Sequence, residues 1–311
     1  MKYKPLGKTG LQLSVIGFGA SPLGNEFGPV DSVAGQHAVH AAVDAGINYF
    51  DVSPYYGRTL AEQRLGEALA GKRQKVVLGT KCGRYDKNTF DFSAVRVRRS
   101  VDESLHRLRT DYLDILLAHD IEYGDREQIV NETIPAMRDL QSEGKVRHIG
   151  ISGLPLRMLA DVAQRAEVDP VLSYCHYNLL IRDLDRWLTP VVERLQIGLI
   201  NASPLHMGLL TAEGPPEWHP APQPVKEASA RVVELCRVYR TEPAIVALRF
   251  CLSHPFVSST LVGMSSAKQV QQNLRALEVE PDPELMAQIE ATVAPVRDMT
   301  WASGREENSD V

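Results

Sequence analysis

Three short stretches constrain this chain more than any others: Ile47-Asn48-Tyr49-Phe50-Asp51, Val76-Val77-Leu78-Gly79-Thr80-Lys81 and Leu113-Asp114-Ile115-Leu116-Leu117-Ala118-His119. Each is a largely apolar run that ends in a polar side chain, and helical patterns separate them. Apolar runs of this length, continuous rather than alternating, are what strands buried on both faces of a parallel sheet require. The strands thereby carry an acid, a lysine and a histidine at their C-terminal ends, where a (β/α)8 barrel places its chemistry. A fourth group follows closely, because Asp51-Val52-Ser53-Pro54-Tyr55-Tyr56-Gly57 sets Tyr56 on a Pro- and Gly-bounded loop. Asp51, Tyr56, Lys81 and His119 are the candidate chemical groups.

The rest of the chain repeats the same alternation. Residues Tyr3 to Val15 hold two strand-like pieces around a Gly-Lys-Thr-Gly turn and predict a hairpin. Val15-Ile16-Gly17-Phe18-Gly19 is a first apolar run, followed by a helix from about Asp31, its N-cap, to Ala45. Helices are predicted at about Leu60–Leu69, Phe92–Leu108, Arg126–Glu143, Leu156–Val168, Leu184–Leu195 and Lys226–Tyr239. Further strands fall at His148–Ser152, Val171–Tyr174, Gly198–Ala202 and Ser259–Val262. Eight βα units in a row predict a (β/α)8 TIM barrel with an N-terminal β-hairpin, as a single domain over residues 1–311. A doubly wound sheet would show Gly-x-Gly-x-x-Gly after its first strand, and Gly17-Phe18-Gly19-Ala20-Ser21-Pro22 does not supply it. Leu205 to Pro224, with five prolines and two glycines, is a long irregular stretch suited to a lid or binding loop. Gly304 to Val311 are polar and expected to fray.

Composition narrows the partners. A net charge of −5 gives no electrostatic reason to expect nucleic acid or an anionic membrane, so a small molecule is the expected partner. Cys82, Cys175, Cys236 and Cys251 form no Cys-x-x-Cys pair, and the start of the chain has neither a basic nor an apolar leader segment. A cytoplasmic location with reduced thiols is expected. No apolar run approaches the roughly 18 residues of a membrane span.

A tyrosine with its ordinary pKa near 10 is a poor base at neutral pH unless a cation favours the phenolate. Lys81 is expected to be that cation, with Asp51 orienting the lysine and His119 hydrogen-bonding the reacting oxygen. Such a centre moves a proton during carbonyl reduction or alcohol oxidation, and the hydride requires a nicotinamide because no side chain carries one. A plainer reading also fits each residue taken singly: an Asp–Lys pair between neighbouring strands satisfies itself, and a lone histidine after a strand is commonly structural. Three successive strands ending Asp, Lys and His favour chemistry. A zinc site is not expected, since His119 has no second ligand at close spacing beyond Asp120 and Glu122, which solvation would explain. Cys82 reads as a small packing residue.

Asp51-x4-Tyr56, Lys81 in Gly-Thr-Lys and His119 in Leu-Leu-Ala-His resemble the catalytic tetrad of the aldo-keto reductases, nicotinamide-dependent (β/α)8 enzymes. Leu6-Gly7-Lys8-Thr9-Gly10-Leu11, Glu143-Gly144-Lys145-Val146-Arg147-His148-Ile149-Gly150 and Ser203-Pro204-Leu205-His206-Met207-Gly208 are similar to further motifs of that family. The stretches Leu172-Ser173-Tyr174-Cys175-His176-Tyr177 and Gly214-Pro215-Pro216-Glu217-Trp218-His219-Pro220 resemble its sugar dehydrogenases. This resemblance implies oxidation of L-galactose at C1 to L-galactono-1,4-lactone with NAD. The alternatives are a related aldose dehydrogenase acting on L-fucose or D-arabinose, or a non-catalytic nicotinamide-binding subunit, against which the intact tetrad speaks. By position, the resemblance implies cofactor contacts at Gly19, Ser21, Ser152, Tyr174, Ser203, Leu205, Gly208, Gly263, Ser265, Gln269, Gln272 and Asn273. Two departures stand out: Gly153 replaces a common Asn, and Ser173 or Tyr174 a common Gln. Gly263 and Gln269 stand where NADP-using members generally carry Lys or Arg, which favours NAD. Arg84, Asp120, Glu122 and Trp218 are the expected sugar contacts, and no metal is expected.

Overall fold

Strands buried on both faces need a neighbour on both edges, and closing the sheet on itself leaves no edge. The computed structural model, which describes residues 1–311, closes in this way. An antiparallel hairpin comes first, β1 (Tyr3–Pro5) with β2 (Gln12–Ser14). The barrel then runs through β3 (Ile16–Gly19), β4 (Tyr49–Asp51) and β5 (Val77–Cys82). A small ribbon of β6 (Arg84–Asp86) and β7 (Thr89–Phe90), absent from the sequence expectation, interrupts the alternation. The barrel is completed by β8 (Leu113–Ala118), β9 (Val146–Gly153), β10 (Pro170–Tyr174), β11 (Gly198–Ala202) and β12 (Val257–Gly263). All eight barrel strands are parallel, and β12 pairs back onto β3.

The barrel interior is a cluster of Leu6, Leu13, Tyr49, Ile115, Leu117, Leu172, Ile200 and Leu261. Leu6 and Leu13 come from the hairpin, so that element plugs the N-terminal end. Tyr49 is the largest side chain there and fits because glycines face it. A Cβ on Gly17 would meet the Tyr49 ring at 3.1 Å, and one on Gly79 would meet it at 3.3 Å. Burying such a side chain contributes about 2 kcal/mol or more.

Helices cover the outside: α1 (Ser32–Asp44), α2 (Leu60–Ala68), α3 (Ala94–Leu108), α4 (Arg126–Gln128), α5 (Ile134–Ser142), α6 (Leu156–Arg165), α7 (Leu184–Trp187), α8 (Thr189–Leu195), α9 (Gln223–Val238), α10 (Pro243–Leu252), α11 (Ala267–Leu274) and α12 (Pro283–Val293). Asp31 caps α1 by accepting the Ala34 amide, as its position predicts. The helix expected over 126–143 contains a π turn at Ile129–Thr133 between α4 and α5. The one expected over 184–195 breaks into α7 and α8, because Pro190 lacks an amide hydrogen and starts a new first turn. Two helices rather than one separate β11 from β12. No helix is long and apolar enough to cross a membrane, and all four cysteines are free and buried.

The C-terminal tail is the largest correction, because the residues expected to fray are docked. The Arg305 amide donates to the Glu122 carbonyl at 3.0 Å. Asn308 is buried, and its Nδ2 donates to the carbonyls of Glu122 and Gly124, both at 3.0 Å. Asp310 accepts the Leu156 amide at 2.6 Å and so caps α6, whose own N-cap is the non-accepting Pro155. Gly304 has φ +81°, and a Cβ there would lie 2.4 Å from the Glu122 carbonyl oxygen. Polarity alone misled here, because the polar groups have backbone partners.

Candidate active site

Side chains alternate across a strand, so residues two apart face the same way. Tyr49 lies inside the barrel, and Asp51 is therefore directed to the axis one layer higher. Gly79 and Lys81 follow the same rule, as do Ile115, Leu117 and His119. Period and strand end together aim three polar groups at one point, the C-terminal mouth. Tyr56 reaches it from the loop after β4.

Lys81 Nζ donates to Asp51 Oδ1, to the Val52 carbonyl at 2.9 Å and to Tyr56 Oη at 3.4 Å. Tyr49 Oη donates to the other Asp51 oxygen at 3.4 Å. Asp51 and Lys81 are both buried. Burial opposes the lysine's charge, but Asp51 and then Tyr56 outweigh it and hold the pKa above the ordinary value. Burial pushes the Tyr56 phenol up to about 12; Lys81 pulls against it, while Asp51 and Asp120 add to the rise. Lys81 does act on the phenol in the expected direction, but the net shift is upward. Desolvation and the neighbouring carboxylates outweigh the cation.

His119 is buried just past β8. Its Nδ1 lies 3.0 Å from Ser53 Oγ, which itself accepts the Tyr55 amide at 3.1 Å. That network assigns the serine hydrogen to Nδ1 and leaves Nε2 protonated. Burial, then Lys81 and Arg84, hold the His119 pKa well below 6.5, so the ring is neutral. Nε2 lies 3.6 Å from Asp120 Oδ2. Neither Ser53 nor Tyr49 stood out in the sequence, although the strand period placed Tyr49 under Asp51.

Asp120 adopts a left-handed backbone, φ +51°, which is uncommon for a residue other than glycine. It accepts from Arg84 Nη1, and the Arg84 guanidinium lies over the Tyr55 ring at 3.8 Å. Asp120 Oδ1 and Arg84 Nε are buried without partners. Each leaves hydrogen-bonding capacity for a hydroxylated ligand. Glu122 is placed differently. Its Oε1 accepts from the Leu154 amide at 3.2 Å and from Ser303 Oγ at 3.0 Å, and it is wholly buried. Its Oε2 lies 2.5 Å from where a Cβ on Gly153 would stand, so the glycine's missing side chain is the space this carboxyl fills. Burial, then Asp120, push its pKa up to about 8. Trp218 is exposed and packs on Phe27 with ring centroids 5.9 Å apart. Behind it, buried His219 donates from Nε2 to the His206 carbonyl at 2.9 Å, and Trp301 packs edge-on against both histidines.

A second cleft of about 160 Å³ opens between the loop after β11 and the start of α11. Leu205, Gly263, Gln269, Gln272 and Asn273 line it together. Ser203, His206, Met207 and Gly208 all have positive φ, which folds this loop tightly beside the cleft. Gly19 ends β3 next to β12, where a Cβ would lie 3.2 Å from the Val262 carbonyl oxygen. Ser21 starts the turn Ser21–Gly24. Ser152 Oγ donates to the Ala118 carbonyl at 3.3 Å, and half-buried Tyr174 ends β10 beside the mouth. Ser265 does not line the cleft; its amide and hydroxyl are spent on Gln269 Oε1 at 2.8 and 3.1 Å. The buried Ser173 hydroxyl has no partner. The amide-rich cleft fits the adenosine end of a nicotinamide dinucleotide, whereas Ser173, one residue on from inward-facing Leu172, is directed to the helix layer and not to the mouth.

Residues 15–294 match the family model described as the aldo/keto reductase family. The chain is 49% identical to L-galactose dehydrogenase of Arabidopsis thaliana, over 99% of both chains. It is 29% identical to D-threo-aldose 1-dehydrogenase of a Pseudomonas species, over 92% of this chain and 96% of the relative. Among solved structures, a holo-form aldo-keto reductase from Bacillus halodurans superposes with a TM-score of 0.79 at 28% identity, covering 99% of each chain.

Proposed function

This chain belongs to the aldo/keto reductase family, and we propose that it oxidises L-galactose at C1 to L-galactono-1,4-lactone with NAD. The observation that carries the reading is the meeting of Tyr56 Oη, Lys81 Nζ and neutral His119 at the C-terminal end of the barrel, in a chain so similar to a plant L-galactose dehydrogenase. Tyr56 takes the proton of the C1 hydroxyl. Lys81, 3.4 Å away, stabilises the phenolate as it forms, and Asp51 holds the lysine in place. His119 donates from Nε2 to the same sugar oxygen, which orients the hydroxyl toward Tyr56. A nicotinamide dinucleotide held along Ser152, Tyr174, Leu205 and the α11 cleft would supply the hydride acceptor. Arg84 Nε and Asp120 Oδ1, unpartnered beside His119, read ring hydroxyls.

Dehydrogenase assays over a panel of aldoses with NAD and NADP test this. L-Galactose with NAD is expected to give the highest kcat/KM, and D-galactose to fail because its mirror-image hydroxyls cannot meet the same groups. L-Fucose lacks only the C6 hydroxyl, so its rate reports whether Arg84 and Asp120 read that position; a site built around a hydroxyl discriminates strongly against its loss. Efficient oxidation of D-galactose, or none of L-galactose with either cofactor, overturns the assignment and leaves only the family.

A further inference from the structure

The cleft between the β11 loop and α11 has a lining that the catalytic reading does not use. Its charged members are Glu213 and Glu242, and no lysine or arginine lines it. Glu242 precedes α10, at an N-cap position where Ser, Thr, Asp or Asn is usual, and its side chain makes no capping bond. The carboxylate is instead directed into the cleft. Its Oε1 accepts from Arg275 Nη1 at 2.7 Å, and its Oε2 accepts from Gln272 Nε2.

From this geometry we infer that Glu242 selects a dinucleotide with a free adenosine 2′-hydroxyl and rejects one that carries a 2′-phosphate. The inference deepens the reading of the chain as an NAD dehydrogenase and rests on it. A carboxylate accepts from ribose hydroxyls, whereas a phosphate monoester beside it adds nearly two negative charges next to a third. Two other features close the routes by which a phosphate is usually held. The nearest guanidinium, Arg275, is already paired with Glu242, and Lys268 is exposed and does not line the cleft. At the N-terminus of α11, the Ser265 amide is spent on Gln269 Oε1, and the Gln269 amide on Ser266 Oγ at 3.2 Å. Those donors are the kind that would otherwise bind an anion.

Calorimetric titration of the intact protein with NAD⁺ and NADP⁺, together with Glu242→Gln, tests the assignment without relying on turnover. Wild type is expected to bind NAD⁺ at least tenfold more tightly than NADP⁺. E242Q keeps the shape but removes the charge and frees Arg275, so the ratio should narrow by tenfold or more, chiefly through tighter NADP⁺ binding. Adding Arg275→Ala should abolish that gain, because the guanidinium is then missing. An unchanged ratio in E242Q, with melting behaviour like wild type, overturns the role of Glu242 alone. Failure of both dinucleotides to bind wild type overturns this assignment and the proposed activity together.

Discussion

The Asp51–Lys81 pair serves both stability and chemistry, and the two can be separated. Both side chains are buried, and Lys81 has only Asp51, the Val52 carbonyl and Tyr56 as partners. Replacing Lys81 by Met leaves a buried carboxylate with only the long Tyr49 bond, and breaking a buried pair in this way costs about 3–5 kcal/mol. Unfolding entropy of about 2.1 cal/mol/K per residue gives ~0.65 kcal/mol/K for 311 residues, so Tm should fall by ~5–8 °C. Asp51→Leu should cost a similar amount by stranding the ammonium. The double variant Asp51→Leu, Lys81→Met removes both charges and should regain most of the loss, as a strongly non-additive cycle. Its activity should stay as low as that of Lys81→Met, because the phenolate of Tyr56 has lost its cation. Scanning calorimetry and steady-state oxidation rates on the four proteins suffice. Single variants as stable as wild type, or a double variant with restored turnover, refute the reasoning.

Tyr56→Phe should lower kcat by about 10²–10⁴ while leaving NAD⁺ affinity nearly unchanged; near wild-type turnover removes Tyr56 from the mechanism. Because the phenol is pushed up to about 12, its reactive phenolate fraction grows tenfold per pH unit, so the chemical step of oxidation should keep rising through the alkaline range. A plateau below pH 9, with a full isotope effect from C1-deuterated sugar, contradicts this. The Glu122 carboxyl, held near 8 in the fold against an ordinary value near 4.3 when unfolded, binds its proton more tightly in the native state, so this group's contribution to stability falls as pH rises between those values. Glu122→Gln should therefore gain on wild type by about 1.4 kcal/mol per pH unit across that window, read from urea melts at several pH values, and parallel curves would exclude it. Asn308→Ala strands the Gly124 carbonyl and leaves the Glu122 carbonyl only the Arg305 amide, so it should cost about 1–3 kcal/mol and make the tail protease-sensitive; unchanged melting and proteolysis argue against the docked tail.

What the sequence by itself determined is local and periodic. The apolar runs placed Asp51, Lys81 and His119 at strand ends, and the period of two, through Tyr49, Gly79 and Leu117, aims them inward. Asp31 was legible as the cap of α1, and the spacing of Asp51 and Tyr56 put the tyrosine beside the strand that bears the acid. These features depend on residues within a few positions of one another, which is the range over which a pattern carries information. What only the tertiary structure decided involves distant segments. Ser53 reaches His119 and sets its tautomer, Glu122 fills the space above Gly153, and the polar tail finds backbone partners on the β8 loop. Glu242 meets Arg275 across two helices. The Tyr56 phenol belongs to this second group as well: its pKa reflects how completely loops from different βα units exclude water from it, and the adjacent Lys81 cannot offset that desolvation. Burial is a property of the whole packing, and no neighbouring residue in the chain encodes it.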